Sequence, residues 1–366
     1  MNSFINKRSR FENSLHILFC LVSLVYGLVI SLTSDLTGVR IFGNNTLGLV
    51  LVVISAVLLI AEIVLLTVYK NPKLKRILYL ISIIVLCLVV IDFVILGIVR
   101  SFVTAASLNK AEAAVRGLNI RLAYICIKNY TSILMGVWTT IWLSLAGTII
   151  GLVLALLFIT LRTLEVTSRD NEFVAFLKKI ACGFVKIYVT VFRGTPMMVQ
   201  AIIIYYFLPS ILANLLNMDQ QILNNVLSVG VAGLITVSLN TTAYLTEVLR
   251  GGIESLNKGQ MEAARSLGMS RAQAMYHVIL PQGIKNSLPA ICNEFIINIK
   301  DTSVLSVISV MDLFFIVDMI NGKNANSDAI FIAGIIYLCL TYGISKLLGL
   351  LEKRMNLVSK PLPSSN

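Results

Sequence analysis

Eight apolar segments, each long enough to cross a lipid bilayer, constrain this chain more than any other feature. A membrane-spanning helix needs about 20 mostly apolar residues. Inside lipid, every backbone N–H and C=O must find its partner within the protein, which favours helices. Only 13% of the residues are charged, about half the share in a soluble domain. The sequence therefore predicts an all-α polytopic membrane protein. The predicted spans are 15–33, 47–69, 77–99, 131–161, 185–208, 226–249, 285–308 and 328–351.

The basic residues indicate which loops are cytoplasmic. Lys and Arg total 30 against 18 acidic residues, and in membrane proteins such an excess is typical of cytoplasmic loops. The segments 1–13 and 70–76 are therefore placed inside, and alternation then puts both termini in the cytoplasm. The basic segment 100–130 falls outside by this alternation, and an interfacial helix over 107–125 would explain its charge. The bilayer is the expected surrounding, and no nucleic-acid partner is expected.

The polarity of the spans changes near residue 130. The first three spans are plainly apolar, whereas the later ones carry Gly, Pro, Asn and charged residues. We predict an N-terminal accessory region at 1–130, a five-span functional core at 131–355 and a cytoplasmic tail at 356–366.

Polar side chains within the later spans are the candidate binding residues, because such groups are costly in lipid and mark functional sites by default. They lie on one face of the sixth span, on or beside one face of the seventh, and at a break in the fifth. The candidates are Arg193, Thr195, Asn240, Tyr244, Glu247, Asn293, Glu294, Asn298, Lys300 and Asp301.

Two interpretations of these polar faces stay open. One is hydrogen bonding and ion pairing between packed helices. The other is a wet path for a zwitterionic solute. Its carboxylate would meet Lys300 or Arg193, and its ammonium or polar side chain would meet Glu247 or Glu294.

The fifth span is interrupted by Arg193-Gly194-Thr195-Pro196. Pro196 lacks an amide N–H, and Gly194 allows a tight bend. Freed backbone groups at membrane depth are tolerated only beside protein or a water-filled cavity. The break therefore indicates either a kink for packing or the wall of a path.

Signals of enzymatic chemistry are missing from the sequence. It contains no G-x-x-x-x-G-K-[ST], H-E-x-x-H or G-x-S-x-G pattern, and its only histidines are His16 and His277. The six cysteines have no CxxC spacing and are interpreted as small core residues. We predict that this chain is not an enzyme and binds no cofactor or metal.

A spaced motif in the cytoplasmic loop 253–281 resembles a known family. Glu262-Ala263-Ala264 is followed by Gly268, Val278 and Leu280-Pro281. This spacing is similar to the EAA loop in permease subunits of binding-protein-dependent ABC importers. Val278 stands where the family pattern has Ile.

Four further stretches narrow the resemblance to the polar amino-acid permeases of the histidine, glutamine and arginine type. The stretches are 192–196, 247–253, 258–260 and 300–303. The resemblance covers about 131–355, so the accessory spans lie outside it.

The resemblance implies a type I ABC importer transmembrane fold with a five-span core, here preceded by about three extra spans. It implies a bacterial inner membrane, a second permease subunit (the same chain or a homologue) and an extracytoplasmic amino-acid-binding protein. Two separate ABC ATPase subunits would hold ATP and Mg and receive a short helix at about 262–270. The coupling residues implied by the motif are Glu262, Ala263, Ala264, Arg265, Gly268, Arg271 and Pro281.

Two other classes of membrane protein share some of these features with an importer subunit. An ion-coupled secondary amino-acid transporter would use similar intramembrane acids, but it does not need the EAA spacing. Such transporters usually carry an internal repeat, and none is found here. A membrane enzyme is disfavoured by the missing catalytic motifs. The sequence does not name the amino acid.

Overall fold

The computed structural model describes residues 17–28, 45–67, 72–164, 166 and 170–354. Within these ranges the chain is helical and contains no strand. Five of the described helices are long and apolar enough to cross a membrane, or six if one bent pair counts as a single span. The all-α polytopic fold is thus confirmed, whereas the three extra N-terminal spans stay a prediction. Predicted positions at 1–16, 29–44 and 68–71, and the tail beyond residue 354, lie outside the described residues.

The helices are numbered in chain order. They are α1 (Ile17–Leu28), α2 (Asn45–Thr67), α3 (Pro72–Val90), α4 (Gly97–Ser107), α5 (Lys110–Ala114), α6 (Leu118–Arg162), α7 (Glu172–Gly194), α8 (Met197–Ile202), α9 (Leu208–Leu216), α10 (Gln220–Val226), α11 (Val229–Glu254), α12 (Gly259–Ser266), α13 (Arg271–Ala274), α14 (Leu280–Asp301), α15 (Leu313–Asn324) and α16 (Ala329–Arg354). Single π turns at Ile91–Leu96, Ile203–Phe207 and Met275–Ile279 join α3 to α4, α8 to α9 and α13 to α14, and a 3₁₀ turn, Thr302–Ile308, follows α14.

The chain forms two compact units, residues 1–128 and 129–366. The first has a small apolar core that includes Leu51, Leu58 and Val85. It also buries Asp92, which accepts a hydrogen bond from Tyr26 Oη (2.7 Å). The single interfacial helix expected at 107–125 is not formed. The structure has the short α5 instead, and residues from 118 onward belong to α6.

Small residues let α6 pack closely against α11 in the second unit. A Cβ added at Gly147 would lie 2.5 Å from Val237 Cγ1, and one at Gly151 would lie 2.9 Å from Thr241 Cβ. Glycines four residues apart on one helix face are a common contact surface between membrane helices. This pair fixes α6 beside the helix that carries much of the candidate site.

The predicted fifth span, 185–208, is not one helix. The amphipathic α7 begins at Glu172, inside the predicted loop 162–184, and ends at Gly194. A second helical stretch, Met197–Leu216, then forms the apolar span. Lys178 and Lys179 lower the mean hydropathy of the first half of α7, so a hydropathy window misses a helix whose apolar side buries Val185 and Val189.

The helices α11 and α14 form the centre of the second unit, and they almost touch beside the loop 253–281, called here the coupling loop only because its spacing resembles the EAA motif. A Cβ added at Gly252 would lie 2.6 Å from Gly283 O, and one at Gly283 would lie 2.6 Å from Ile253 Cγ1. Ser287 Oγ donates to Gly283 O (2.8 Å) and also lies 3.2 Å from Val248 O. Both ends of the coupling loop are therefore joined at one close contact.

The last helices close the second unit. The stretches Arg271–Ile308 and Leu313–Asn324 are bent by 51° relative to each other. The buried Asp312 caps α15 by accepting from Phe315 N (2.9 Å) and also accepts from Tyr337 Oη on α16 (3.2 Å). The span α16 overlaps the predicted eighth span.

Candidate functional site

A cavity of about 580 Å³ lies where α7 ends and the next helix begins. Its walls come from the break after α7, from α11 and from α14. Seven of the ten predicted path residues line it: Arg193, Thr195, Asn240, Tyr244, Glu294, Asn298 and Asp301.

The helix break leaves backbone carbonyls that one buried side chain satisfies. Thr195 is extended (φ −118°, ψ 143°), so the helical hydrogen bonds stop there. Gln200 Nε2 donates to Phe192 O (2.9 Å), Thr195 O (3.0 Å) and Thr195 Oγ1 (2.9 Å). Its Oε1 in turn accepts from Asn240 Nδ2 on α11 (3.1 Å). Gln200 therefore clamps the break and ties it to α11.

The sequence reasoning missed Gln200. Its signal was a lone amide in an apolar run, four residues after Pro196. Such a group is costly in lipid unless the protein supplies partners.

Arg193 is the cation of the cavity. Its guanidinium lies 5.3 Å from the ring centroid of Tyr244, a cation–π distance. The side chain is 44% exposed, so its N–H groups can receive an anion that enters the cavity. Its role as a carboxylate partner stays a prediction.

The acids of the cavity stand on one face of α14. Glu294 and Asp301 both line it, two turns apart, with Asn298 between them. Asn298 is only 4% exposed, and its Nδ2 donates to Thr148 Oγ1 (2.8 Å) and Thr241 Oγ1 (2.9 Å). That amide therefore holds α6, α11 and α14 together at the back of the cavity.

Two predicted path residues lie away from the cavity. Asn293 and Lys300 are exposed and do not line it. Each directly precedes a lining acid, so each is turned about 100° from it around the helix. Lys300 therefore does not line this cavity, and its role as a carboxylate partner stays a prediction.

Glu247 is committed to arginines rather than open to a solute ammonium, which corrects the sequence prediction. It pairs with Arg162 at the end of α6, and its Oε2 lies 2.8 Å from Arg250 Nε and 4.0 Å from Arg193 Nη1. It lines an adjoining cavity, also about 580 Å³, which shares Arg193 and Tyr244 with the first. The pairing with Arg162 joins α11 to a helix far away in the sequence, and no local pattern signals it, whereas Arg250 lies only three residues from Glu247 on α11 itself.

The coupling loop contains two short helices joined by a tight turn. The helix α12 ends at Ser266, four residues before the predicted end at 270, because Gly268 adopts a left-handed conformation (φ +87°). The N–H of Gly268 donates to Arg265 O (3.0 Å), and the N–H of Met269 donates to Ala264 O (3.3 Å). This pair of bonds is the Schellman arrangement, which ends a helix at a glycine. Ser270 then begins α13 with a capping box.

The loop presents a mixed surface to solvent. Glu262, Ala263 and Arg265 are exposed, and Leu267 is 82% exposed, whereas Ala264 is buried and anchors α12. Arg271 begins α13 and lines a small pocket with Lys178, and Pro281 lies in the first turn of α14.

The structure is a helical membrane bundle in which one span is broken and a polar cavity lies behind the break. An exposed loop with two short helices connects two packed spans. These features define the class of a permease subunit. Residues 172–357, about half of the chain, match the family described as "Binding-protein-dependent transport system inner membrane component". The chain belongs to this family, which confirms the predicted resemblance.

Two relatives and one solved structure extend this finding. The chain is 34% identical over 233 residues to the putative glutamine transport system permease protein GlnP of Rickettsia typhi, covering 63% of this chain and 96% of the relative. It is 34% identical over 224 residues to the glutamine transport system permease protein GlnP of Escherichia coli K12, covering 61% and 92%. A structure described as an amino acid ABC transporter with histidines has 33% identity and a TM-score of 0.52, covering 62% and 96%. The chain is thus a multi-pass permease of an amino-acid ABC importer.

Proposed function

We propose that this chain carries a polar amino acid across the bacterial inner membrane as the transmembrane subunit of an ATP-driven importer. The observation that carries the proposal is the cavity at the helix break. It presents both signs of charge, and it is built from α11 and α14, the helices that bracket the coupling loop. A zwitterion requires such a pair of opposite charges at short range.

The positive and negative side chains of the cavity bind opposite ends of the zwitterionic solute. Arg193 is exposed on one wall and receives the carboxylate, since its fork of donors suits that group. Met197 and Met198, in the first turn of the next helix, also line the cavity, and the backbone dipoles at the amino terminus of that helix favour a negative charge there. Glu294 or Asp301 on the α14 wall receives the ammonium.

The loop supplies the coupling. Two ABC ATPase subunits, which hold ATP and Mg, bind α12 and its exposed neighbours, and this chain binds neither ligand. The close contact of Gly252 with Gly283 joins both ends of the loop, so a push on α12 reaches α11 and α14 together. Their movement as packed helices alternates access to the cavity.

Two further partners complete the transporter. A second permease subunit, the same chain or a homologue, pairs with this one. An extracytoplasmic binding protein delivers the amino acid. Both termini are placed in the cytoplasm.

The test is ATP-dependent uptake of labelled amino acids by the complex reconstituted in proteoliposomes. Glu262→Lys is expected to reduce uptake several-fold while the complex still hydrolyses ATP, because reversing an exposed charge on α12 disturbs its contact with the ATPase. The control is Glu172→Lys, an exposed acid that also lies in the first turn of a helix but outside the loop. Normal uptake by Glu262→Lys would contradict the role of the loop. Uptake by this chain alone, driven by a proton or sodium gradient, would overturn the whole proposal in favour of a secondary transporter.

A further inference from the structure

We propose that the adjoining cavity binds an acidic phospholipid, whose phosphate group lies between Lys186 and Arg162. This cavity of about 580 Å³ is lined by the last residue of α6, by the second half of α7 and by α11. The proposed function gives it no ligand, and the inference holds whichever amino acid is transported. The depth of the cavity, its charge and the apolar surface beside it support this assignment.

The cavity lies at the depth of a lipid headgroup. Val229 begins α11 directly after a polar stretch at 217–225, and so marks one surface of the hydrocarbon. The part of α11 from Val229 to Glu247 is about 27 Å long, close to the hydrocarbon thickness of about 30 Å. Glu247 and its partner Arg162 therefore lie at the opposite surface, which the predicted topology places on the cytoplasmic side.

The cavity carries one positive charge that has no partner. Arg162 pairs with Glu247, and Arg250 beside them pairs with Glu254. Lys186 is exposed, and its ammonium makes no ion pair within the described residues. A phosphodiester carries a single negative charge, so one bound headgroup balances the charge of Lys186.

The acids of the first cavity do not cancel this charge, because each has a basic neighbour of its own. Arg193 lines both cavities, and Glu294 lines the first cavity with it. Asp301 directly follows the exposed Lys300 in the chain. The excess positive charge therefore stays with Lys186.

Arg162 adds a second group of hydrogen-bond donors. Its Nη1 donates to Glu247 Oε1, and its side chain is 20% exposed. A guanidinium has five N–H groups, so others remain for a phosphate oxygen. Basic pockets between membrane helices on the cytoplasmic side are the sites where acidic lipid headgroups bind.

The face of α7 beside the cavity offers a surface for an acyl chain. Lys186 and Arg193 line the cavity from one face of α7. Phe184, Ile187 and Val191 lie on the adjacent face, and each is more than half exposed. A headgroup bound at Lys186 therefore places its acyl chain along an apolar surface of the same helix.

The experiment measures lipid binding to the purified full chain by native mass spectrometry. The chain is delipidated in neutral detergent and offered equal amounts of phosphatidylglycerol, which is acidic, and phosphatidylcholine, which has no net charge. We expect the first lipid bound to be phosphatidylglycerol at a ratio of about five to one, from the attraction of one basic residue for an acidic headgroup. Lys186→Gln is expected to reduce this ratio towards unity.

The matched control is Lys285→Gln. Lys285 is an exposed lysine near the start of α14, at the end of the bundle that holds the coupling loop, and it lines neither cavity. A reduced ratio in Lys186→Gln alone, unaffected by millimolar inorganic phosphate, supports the inference.

Three other outcomes overturn it. An equal ratio in Lys186→Gln and Lys285→Gln shows that the cavity does not hold the lipid. Displacement of phosphatidylglycerol by millimolar inorganic phosphate assigns the cavity to a soluble anion. A two-chain mass that disappears only in Lys186→Gln shows that a second copy of the chain covers this face.

Discussion

Gln200 holds the helix break that forms one wall of the cavity. Its amide satisfies the carbonyls of Phe192 and Thr195. Gln200→Leu keeps the volume but leaves both carbonyls without that donor at membrane depth. Leaving a buried acceptor without a partner costs about 1–3 kcal/mol. Phe192 is half-buried, Thr195 is exposed and Asn240 Nδ2 also lies 3.5 Å from Phe192 O, so the free energy of unfolding should fall by about 1 kcal/mol, the low end of that range. Denaturation in mixed micelles measures it.

The control for Gln200→Leu is Gln221→Leu. Gln221 is exposed on α10, and its side chain makes no hydrogen bond within the described residues. Equal stability of the two variants would show that the carbonyls at the break find other partners. A fall confined to Gln200→Leu, together with weaker amino-acid binding, would identify the clamp as part of the site.

For single residues, the sequence predicts which side chains share one face of a helix, but it does not predict which side chains pair between different helices. Helical periodicity correctly grouped Asn240 with Tyr244, and Glu294 with Asp301, because a shared face is a local property. The same argument could not find that Arg162 engages Glu247, 85 residues further along the chain. Such a pairing depends on how α6 and α11 pack.

Among the elements, the coupling loop depends on one backbone conformation. Gly268 has φ +87°, a region in which an L side chain costs about 1–2 kcal/mol. Gly268→Ala should therefore shift the loop away from the turn that presents α12 and Leu267. If the ATPase binds this turn, its affinity for the permease should fall about five- to thirty-fold. Titration of the purified ATPase against the permease in nanodiscs measures it.

Gly183→Ala is the matched control, since Gly183 lies within α7 and an added Cβ there meets nothing within 4 Å. Alanine is favoured over glycine in a helix, so this variant should bind the ATPase normally. Unchanged affinity in Gly268→Ala would mean that the ATPase does not read the conformation of this turn.

The elements show how far hydropathy predicts a membrane fold. The eighth predicted span, 328–351, overlaps α16, which is plainly apolar. The predicted fifth span, in contrast, is not a single helix in the structure. A hydropathy window merges two helices that meet at a break, and it overlooks an amphipathic helix such as α7. The interruption itself was readable from Gly194 and Pro196, since both act locally on the backbone.

For the whole molecule, a chain of charges runs from the cavity to the coupling loop. Arg193 lines the cavity and lies 4.0 Å from Glu247, which Arg250 also engages; Arg250 in turn pairs with Glu254, the last residue of α11. If a bound carboxylate draws Arg193 into the cavity, the contact of Arg193 with Glu247 is weakened, and Arg162 and Arg250 remain as the partners of Glu247.

This arrangement predicts that Glu247→Gln uncouples substrate from ATP hydrolysis. Glu247 does not line the substrate cavity, so amino-acid affinity should change little in nanodiscs. Substrate-stimulated ATP hydrolysis by the reconstituted complex should fall several-fold, because the ion pair between Arg193 and α11 is lost. Glu254→Gln is the control, because it removes only the ion pair between Arg250 and Glu254. Both of these partners are more exposed than Glu247, and exposed ion pairs contribute about 1 kcal/mol or less. The effect of Glu254→Gln on substrate-stimulated ATP hydrolysis should therefore be smaller. If Glu247→Gln instead abolishes amino-acid binding and leaves the stimulation ratio intact at saturating substrate, then Glu247 belongs to the binding site and the charges do not carry the signal.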